Sequence, residues 1–256
     1  MIIAILQARF TSTRLPGKVL KPILGKPMLL RQIERLRRLT LVDGLVVATS
    51  SDRTDDALEH LCLENGIKCF RGSLNDVLDR FYHAAKPLGP DHIVRLTGDC
   101  PLADPQLIDQ VIAFHLQGNY DYTSNAIEPT FPDGLDVEVL RFICLEQAWK
   151  EARLPSQREH VTPFIHQQPL RFKMGSFKNT KDMSFLRWTV DEPLDFDLIT
   201  RIYENLYPTN PTFNMQDILA LLELNPSLKS LNAHYKRNEG YQKSLAEDAR
   251  FLDKRT

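Results

Sequence analysis

The stretch Ile2–Lys21, IIAILQARFTSTRLPGKVLK, decides how this 256-residue chain is read. It opens on a short, Ile-rich apolar run, which suits a strand buried on both faces of a parallel sheet. A polar loop follows, carrying Thr11, Ser12, Thr13, Gly17 and the cations Arg9, Arg14, Lys18 and Lys21. Hydroxyls and backbone N–H groups can bond phosphate oxygens, and the cations can balance their charge. Pro16 and Pro22 restrict φ on either side of Gly17-Lys18 and stiffen the loop. Basic loops are also common on solvated surfaces. The stretch alone leaves both readings open.

Outward from it, strand and helix patterns alternate. A helix is predicted from Pro27 to about Leu39, a buried strand at Leu45–Ala48, and a helix over about Thr54–Glu64 that stops at Asn65-Gly66. A short strand at Ile67–Phe70, a helix at Asn75–Lys86, a strand at His92–Leu96 and a helix at Pro105–Leu116 complete the first half. This order predicts a parallel sheet with helices on both faces, whose ligands bind at the carboxyl ends of the strands. The opening loop, Thr49–Asp52 and Thr97–Leu102 all follow strands, so they should share one face. That convergence brings Asp99 to the cationic loop and favours the phosphate reading.

Beyond about residue 120 the pattern changes. Strands are expected at Asp121–Asn125, Leu135–Leu140, Leu170–Phe177 and Leu186–Val190, with QREHVTPFIHQ helical on either side of Pro163. Asp191-Glu192-Pro193 should end a strand and start a helix to about Leu206. Helices follow Asn214, and the charged end EDARFLDKRT is expected to fray.

Composition narrows the class. The formal net charge is −1, so a general nucleic-acid or membrane-surface binder, which needs a basic excess, is not expected. No apolar run approaches a transmembrane length and no leader pattern stands at the start, which places the protein in the cytoplasm. Four cysteines, Cys62, Cys69, Cys100 and Cys144, show no paired spacing, so reduced thiols are expected. His160 and His166 are spaced wrongly for a helical zinc pair.

Two phosphate signatures are absent. Gly17-Lys18 precedes Val19 and lacks a glycine five residues before Gly17, and no G-x-G-x-x-G occurs, so P-loop and dinucleotide-binding readings fall away. Asp99 and Asp191 each follow a predicted strand, where two carboxylates on one face can share Mg²⁺; each could equally be a cap or turn residue. Asp195-Phe196-Asp197 is formally a D-x-D, but its place after Pro193 also suits first-turn acids of a helix.

ARFTSTRLPGK resembles the A-R-x-x-S-T-R-L-P-G-K signature of cytidylyltransferases that make CMP-activated sugar acids, the CMP-Kdo and CMP-sialic acid synthetases. FRGSLNDVLDRFYHA, VRLTGDCPL, FPDGLDVEVL, REHVTPFI, LRWTVDEPLDFDLI and HYKRNEGYQKSL extend the likeness across nearly the whole chain, most closely to the spore-coat polysaccharide biosynthesis subgroup. The resemblance implies a Rossmann-like, three-layer α/β/α nucleotidyltransferase domain over residues 1–212. An insertion at about 120–185 would serve the acceptor site and a homodimer contact, and a helical tail would span 213–256. It implies transfer of CMP from CTP to a sugar or sugar acid in surface polysaccharide synthesis.

By that resemblance the backbone around Leu6 and Ala8 borders the base, Arg9 and Lys18 meet the triphosphate beside Ser12 and Arg14, Arg80 stands near the cytosine, and Asp99 and Asp191 hold Mg²⁺. Arg9, Lys18 and Asp99 are then the catalytic candidates. Thr97 departs from the CMP-Kdo synthetases, which place a glutamine there; a threonine hydroxyl cannot replace that amide, so base reading needs another donor or a water. Asn125, Asp133, Asp136, Glu138, Arg158, His160 and Arg187 are candidates for the acceptor pocket. No side chain stands out as a general base, beyond the ability of His160 to titrate near neutrality. A sugar-nucleotide-dependent glycosyltransferase, suggested by the D-x-D, and a non-catalytic nucleotide-binding regulator are the alternatives.

Overall fold

The computed structural model describes residues 1–237 and 239–253. A seven-stranded sheet runs through it in the order β5 (Lys68–Gly72), β4 (Gly44–Ser50), β1 (Ile2–Gln7), β6 (His92–Thr97), β8 (Glu138–Arg141), β7 (Tyr122–Ser124), β9 (Met174–Ser176). β5, β4, β1 and β6 are mutually parallel, β8 is antiparallel to both β6 and β7, and β9 is parallel to β7. The sheet is therefore mostly parallel, with one reversed strand. A two-residue hairpin, β2 (Pro22–Ile23) and β3 (Lys26–Pro27), stands apart from it.

Alternation along the strands explains the layers. Ala4, Leu6, Val94 and Leu96 face a core shared with α1 (Met28–Leu36), α2 (Asp56–Glu64), α4 (Pro105–Gly118), α8 (Pro193–Leu206) and α9 (Met215–Leu224). Ile3, Ile5 and Ile93 face a second core with α3 (Val77–Ala85), α5 (Phe142–Glu151) and α7 (Pro163–His166). Helices on both faces of a mostly parallel sheet are what the sequence predicted. The remaining helices are α6 (Pro155–His160), α10 (Pro226–Lys229) and α11 (Glu239–Asp253). The chain leaves β1 toward β4 and β5, then crosses back to β6. The crevice between the ends of β1 and β6 is thus the switch point where such sheets bind ligands.

Several expected elements differ. Pro27 closes the β2–β3 hairpin instead of opening the helix, because Leu24 and Gly25 turn there with φ of 48° and 73°. The helix ends at Leu36, after which Arg38 and Leu39 bond carbonyls three residues back. The strand expected at Leu170–Phe177 shrinks to β9, since Arg171 and Phe172 still bond the Gln168 carbonyl in a turn. The strand expected at Leu135–Leu140 starts only at Glu138. The amide of Asn125 takes up the backbone groups before it, accepting from Val137 N at 2.8 Å and donating to Leu135 O at 2.8 Å.

Leu186–Val190 is not a strand: one bridge links Arg187 to Asp133. Gly134 is the reason. A Cβ there would lie 2.5 Å from Thr189 N, and its φ is 104°, so the Gly134 and Trp188–Thr189 backbones pack directly on each other. The end expected to fray is helical through Asp253, where Asp248 accepts from Ser156 N at 2.8 Å. Residues 254–256 lie outside the described residues.

Candidate active site

Two cavities meet at the carboxyl ends of β1 and β6. The first, of about 170 Å³, lies between the Arg9–Lys18 loop, Gln7, Arg80 and Thr97. The second, of about 540 Å³, opens over β8 and is walled by α6, α7 and the segment before and into α11. Arg14, Thr97, Asp99 and Asp191 line both.

The loop holds its shape by bonds the sequence did not announce. Gly17, at φ 67°, donates to the Phe10 carbonyl at 3.0 Å. Phe10 N donates to the wholly buried Asp55 at 2.6 Å, and Asp55 also accepts from Ser50 N at 3.0 Å, so β1 and β4 share one anchor. Gly98 lets the two strand ends approach, because a Cβ there would lie 3.0 Å from Gln7 O and from Ala8 Cβ.

Lys18 is the hub of the junction. Its Nζ donates to Val190 O at 2.7 Å and to Asp191 Oδ1 at 2.9 Å, and stands 3.5 Å from Asp99 Oδ2. Burial opposes its charge, but Asp99 and Asp191 more than offset that, and its pKa is raised. Asp99 is pushed up by burial and down further by Lys18 and by hydrogen bonds, for a net lowering. Lys18 and Asp99 thus favour each other's charged form. Arg14 Nη2 lies 3.0 Å from Asp191 Oδ2. Arg80 is buried beside the same cavity, and burial followed by the nearby Arg9 lowers its pKa to about 10.

The second cavity is a field of paired charges. Arg187 donates to Asp195 through Nε at 3.0 Å and Nη2 at 2.9 Å, to Asp133 at 3.2 Å and to Asp191 at 3.2 Å. Asn232 closes this cluster, donating to Arg187 O at 2.9 Å and Asp195 at 2.8 Å. Arg237 pairs with Asp136, and its Nε is 4.0 Å from Asp133. Burial, then Asp136, pushes Asp133 up to about 7 against the pull of the two arginines. Glu138 pairs with Arg95 and accepts from Tyr122 and Thr162 hydroxyls; burial raises its pKa, but Arg95 and these donors leave it lowered. His160 Nε2 sits 2.8 Å from Ser244 Oγ, and burial lowers its pKa.

Of the residues singled out from sequence, Ala8, Arg9, Ser12, Arg14, Lys18, Arg80, Thr97, Asp99 and Asp191 line the first cavity. Asp133, Asp136, Glu138, His160 and Arg187 line the second. The Leu6 side chain is in the core, which leaves only its backbone for the role expected there. Two are placed elsewhere. Asn125 is spent on backbone. Arg158 donates to Asp76 at 2.9 Å and to the Trp149 carbonyl at 2.9 Å, on a different surface, so it does not reach the second cavity. The D-x-D is split: Asp195 is wholly buried against Arg187, while the half-buried Asp197 pairs with Arg201 one turn on.

Sequence reasoning missed Gln7, Arg95, Lys236 and Tyr241 as lining residues. Arg95 had a signal, a cation inside the buried run HIVRL. Lys236 and Tyr241 had only their place in HYKRNEGYQKSL, because tertiary packing alone brings the tail back over the sheet. Among the described residues no group of three or more His, Cys, Asp or Glu is arranged to hold a metal, and no helix is long and apolar enough to cross a membrane.

Comparison with known proteins agrees with this arrangement. The family described as Cytidylyltransferase matches residues 3–218. The spore coat polysaccharide biosynthesis protein SpsF of Bacillus subtilis is 35% identical over 88% of this chain and 95% of its own. A 3-deoxy-manno-octulosonate cytidylyltransferase of Pelobacter propionicus is 32% identical over 72% of this chain and 68% of its own. The solved structure of a cytidylyltransferase from Leptospira borgpetersenii superposes with a TM-score of 0.84 at 34% identity, covering 89% of this chain and 96% of that one. With its switch-point cavity, its Lys18–Asp99–Asp191 junction and these relatives, the chain belongs to the cytidylyltransferase family.

Proposed function

We propose that the protein transfers CMP from CTP to a hydroxyl of a sugar acid of the ulosonic or nonulosonic type, releasing pyrophosphate, in surface polysaccharide biosynthesis. The observation that carries this reading is the junction itself. A cationic cavity and a larger polar one share Arg14, Thr97, Asp99 and Asp191, the place where a nucleotide and an acceptor would meet. The acceptor oxygen attacks the α-phosphorus, the bond to the β-phosphate bridging oxygen breaks, and its electron pair leaves with pyrophosphate. Arg9, Ser12 and Lys18 hold the triphosphate and neutralise the leaving group, so positioning and electrostatics supply most of the rate. Arg95 and Lys236 supply positive charge toward an acidic acceptor in the second cavity.

Asp99 and Asp191 fit Mg²⁺. Their carboxylates converge on one ammonium, at 3.5 and 2.9 Å, and Mg²⁺ is commonly held by one or two carboxylates with phosphate oxygens and water. Bound there, the ion would polarise the α-phosphate and lower the pKa of the attacking hydroxyl. A cytoplasmic location and a homodimer belong to the same reading; light scattering on the purified protein tests the latter. The split D-x-D weighs against the glycosyltransferase alternative, since Asp195 is sealed behind Arg187.

The deciding experiment measures pyrophosphate release with each of the four triphosphates, Mg²⁺ and a panel of sugar acids. Release with CTP that depends on a sugar acid is expected. Nucleoside diphosphate or monophosphate formed from a sugar nucleotide, or CTP binding with no turnover across the panel, would overturn the reading.

A further inference from the structure

We propose that Gln7 reads the pyrimidine ring of the nucleotide and that Arg95 sets which way its amide points, so that cytosine is chosen over uracil. The inference rests on the nucleotidyl-transfer reading and adds the residue that selects the base.

The backbone fixes where Gln7 lies. Ile3 and Ile5 face the α3 side of the sheet, so Gln7, the next alternate residue, faces the same way. On the neighbouring strand Ile93 faces that side, and Arg95 and Thr97 follow it at the same period. Ile5 is opposite Arg95, and Gln7 is opposite Thr97. Thr97 leaves this end of the first cavity without an amide, and Gln7, one strand over, supplies one. Both line the cavity with Arg80, and so do Arg9, Ser12 and Lys18, the groups suited to phosphate.

The amide is held in one sense. Arg95 Nη2 donates to Gln7 Oε1 at 3.2 Å, and Arg95 is itself held through Nη1 by Glu138. A guanidinium has donors only, so the oxygen of the amide must be the atom facing it. Nε2, which has no protein acceptor among the described residues, is left as the donor toward the cavity that Gln7 lines. Cytosine presents an unprotonated N3, which accepts from such a donor. Uracil carries a hydrogen on N3, so two donors would face each other and both would lose their water. Arg80 does not discriminate in this way, because its donors suit the O2 acceptor that both rings share.

The test titrates the full chain with CTP and with UTP in the presence of Mg²⁺, by calorimetry and without acceptor. Parent protein is expected to bind CTP tighter by about tenfold to a hundredfold, the range for one hydrogen bond made against one blocked. Gln7→Met, similar in size and without a donor, should bring the two affinities together, weakening CTP and relieving the opposed donors that face UTP. Gln7→Glu keeps an oxygen for Arg95 and turns an acceptor to the cavity, so the preference should invert toward UTP. UTP binding doubles as the folding control, since the groups suited to phosphate are untouched in both variants. If both variants keep the parent's CTP-to-UTP ratio, Gln7 does not read the base, while the transfer reading stands. If the parent binds neither nucleotide, both fall together.

Discussion

The strands β5, β4, β1 and β6 and the strands β8, β7 and β9 lie in one sheet, yet they deliver functional groups by different means. In the first set each loop leaves a regular strand end, and Lys18 and Asp99 arrive by local geometry at the switch point. In the second set the strands span three or four residues, and the cavity over them is held open by buried ion pairs. Arg187 ties Asp133, Asp191 and Asp195 together, and Asn232 and Arg237 bring the tail to the same cluster. The first cavity is thus a property of the fold, and the second a property of charge pairing across distant segments.

That contrast can be broken most directly at Arg187. Replacing it with Met should cost about 3–5 kcal/mol, because Asp195 would be left buried and charged with only Asn232 and backbone donors. Denaturant unfolding measures this; a loss below about 1 kcal/mol would mean the cluster does not organise the second cavity. Lys18→Ala tests the first cavity. It should lower turnover by about 10² to 10³-fold, in the range for one lost electrostatic stabiliser, while far-ultraviolet circular dichroism stays at the parent signal. Unchanged kinetics with CTP would remove the phosphate role.

A pH series separates the two cavities further. Asp133 has a pKa raised to about 7 from 3.8, so its protonated form is favoured by folding. Its contribution to stability is complete below about pH 4 and is lost as pH rises through 7. Asp133→Asn, which cannot ionise, should therefore gain stability relative to the parent between pH 5 and pH 8. Melting temperatures at the two values would show it as a difference of a few degrees. A constant offset would place the Asp133 pKa near its ordinary value. The smallest effect is expected from Asp197→Ala, within about 0.5 kcal/mol, since its partner Arg201 is exposed on the same helix. A loss of activity there would revive the D-x-D as a functional pair.

Legibility followed the same division. The run Ile2–Leu6, the loop to Lys21 and the repeated strand–helix pattern were enough for the sheet, the gathering of loops at one set of strand ends and the meeting of Lys18 with Asp99, because hydrophobic period and crossover topology are local properties. Asn125 and Arg158 were read as acceptor groups because their residue types suit one. Packing instead spends Asn125 on the backbone before β8, and Arg158 on Asp76. The strand expected at Leu186–Val190 failed because Gly134 lets a loop backbone press against it, a contact across more than fifty positions.

By itself, the sequence determined the α/β class, the order of the parallel strands' elements, the cationic loop and the family. Only the tertiary structure decided that Lys18 stands between two aspartates, that Asp195 is sealed away from Asp197, and that Lys236 and Tyr241 wall the second cavity. It also decided that the glutamine at the end of β1 lines the first cavity with its amide oxygen held by Arg95. The physical reason is range. Strand period and loop composition are set within a few residues of chain, whereas the sense of an amide or the pairing of a buried charge is set by whichever distant donor packing brings within reach.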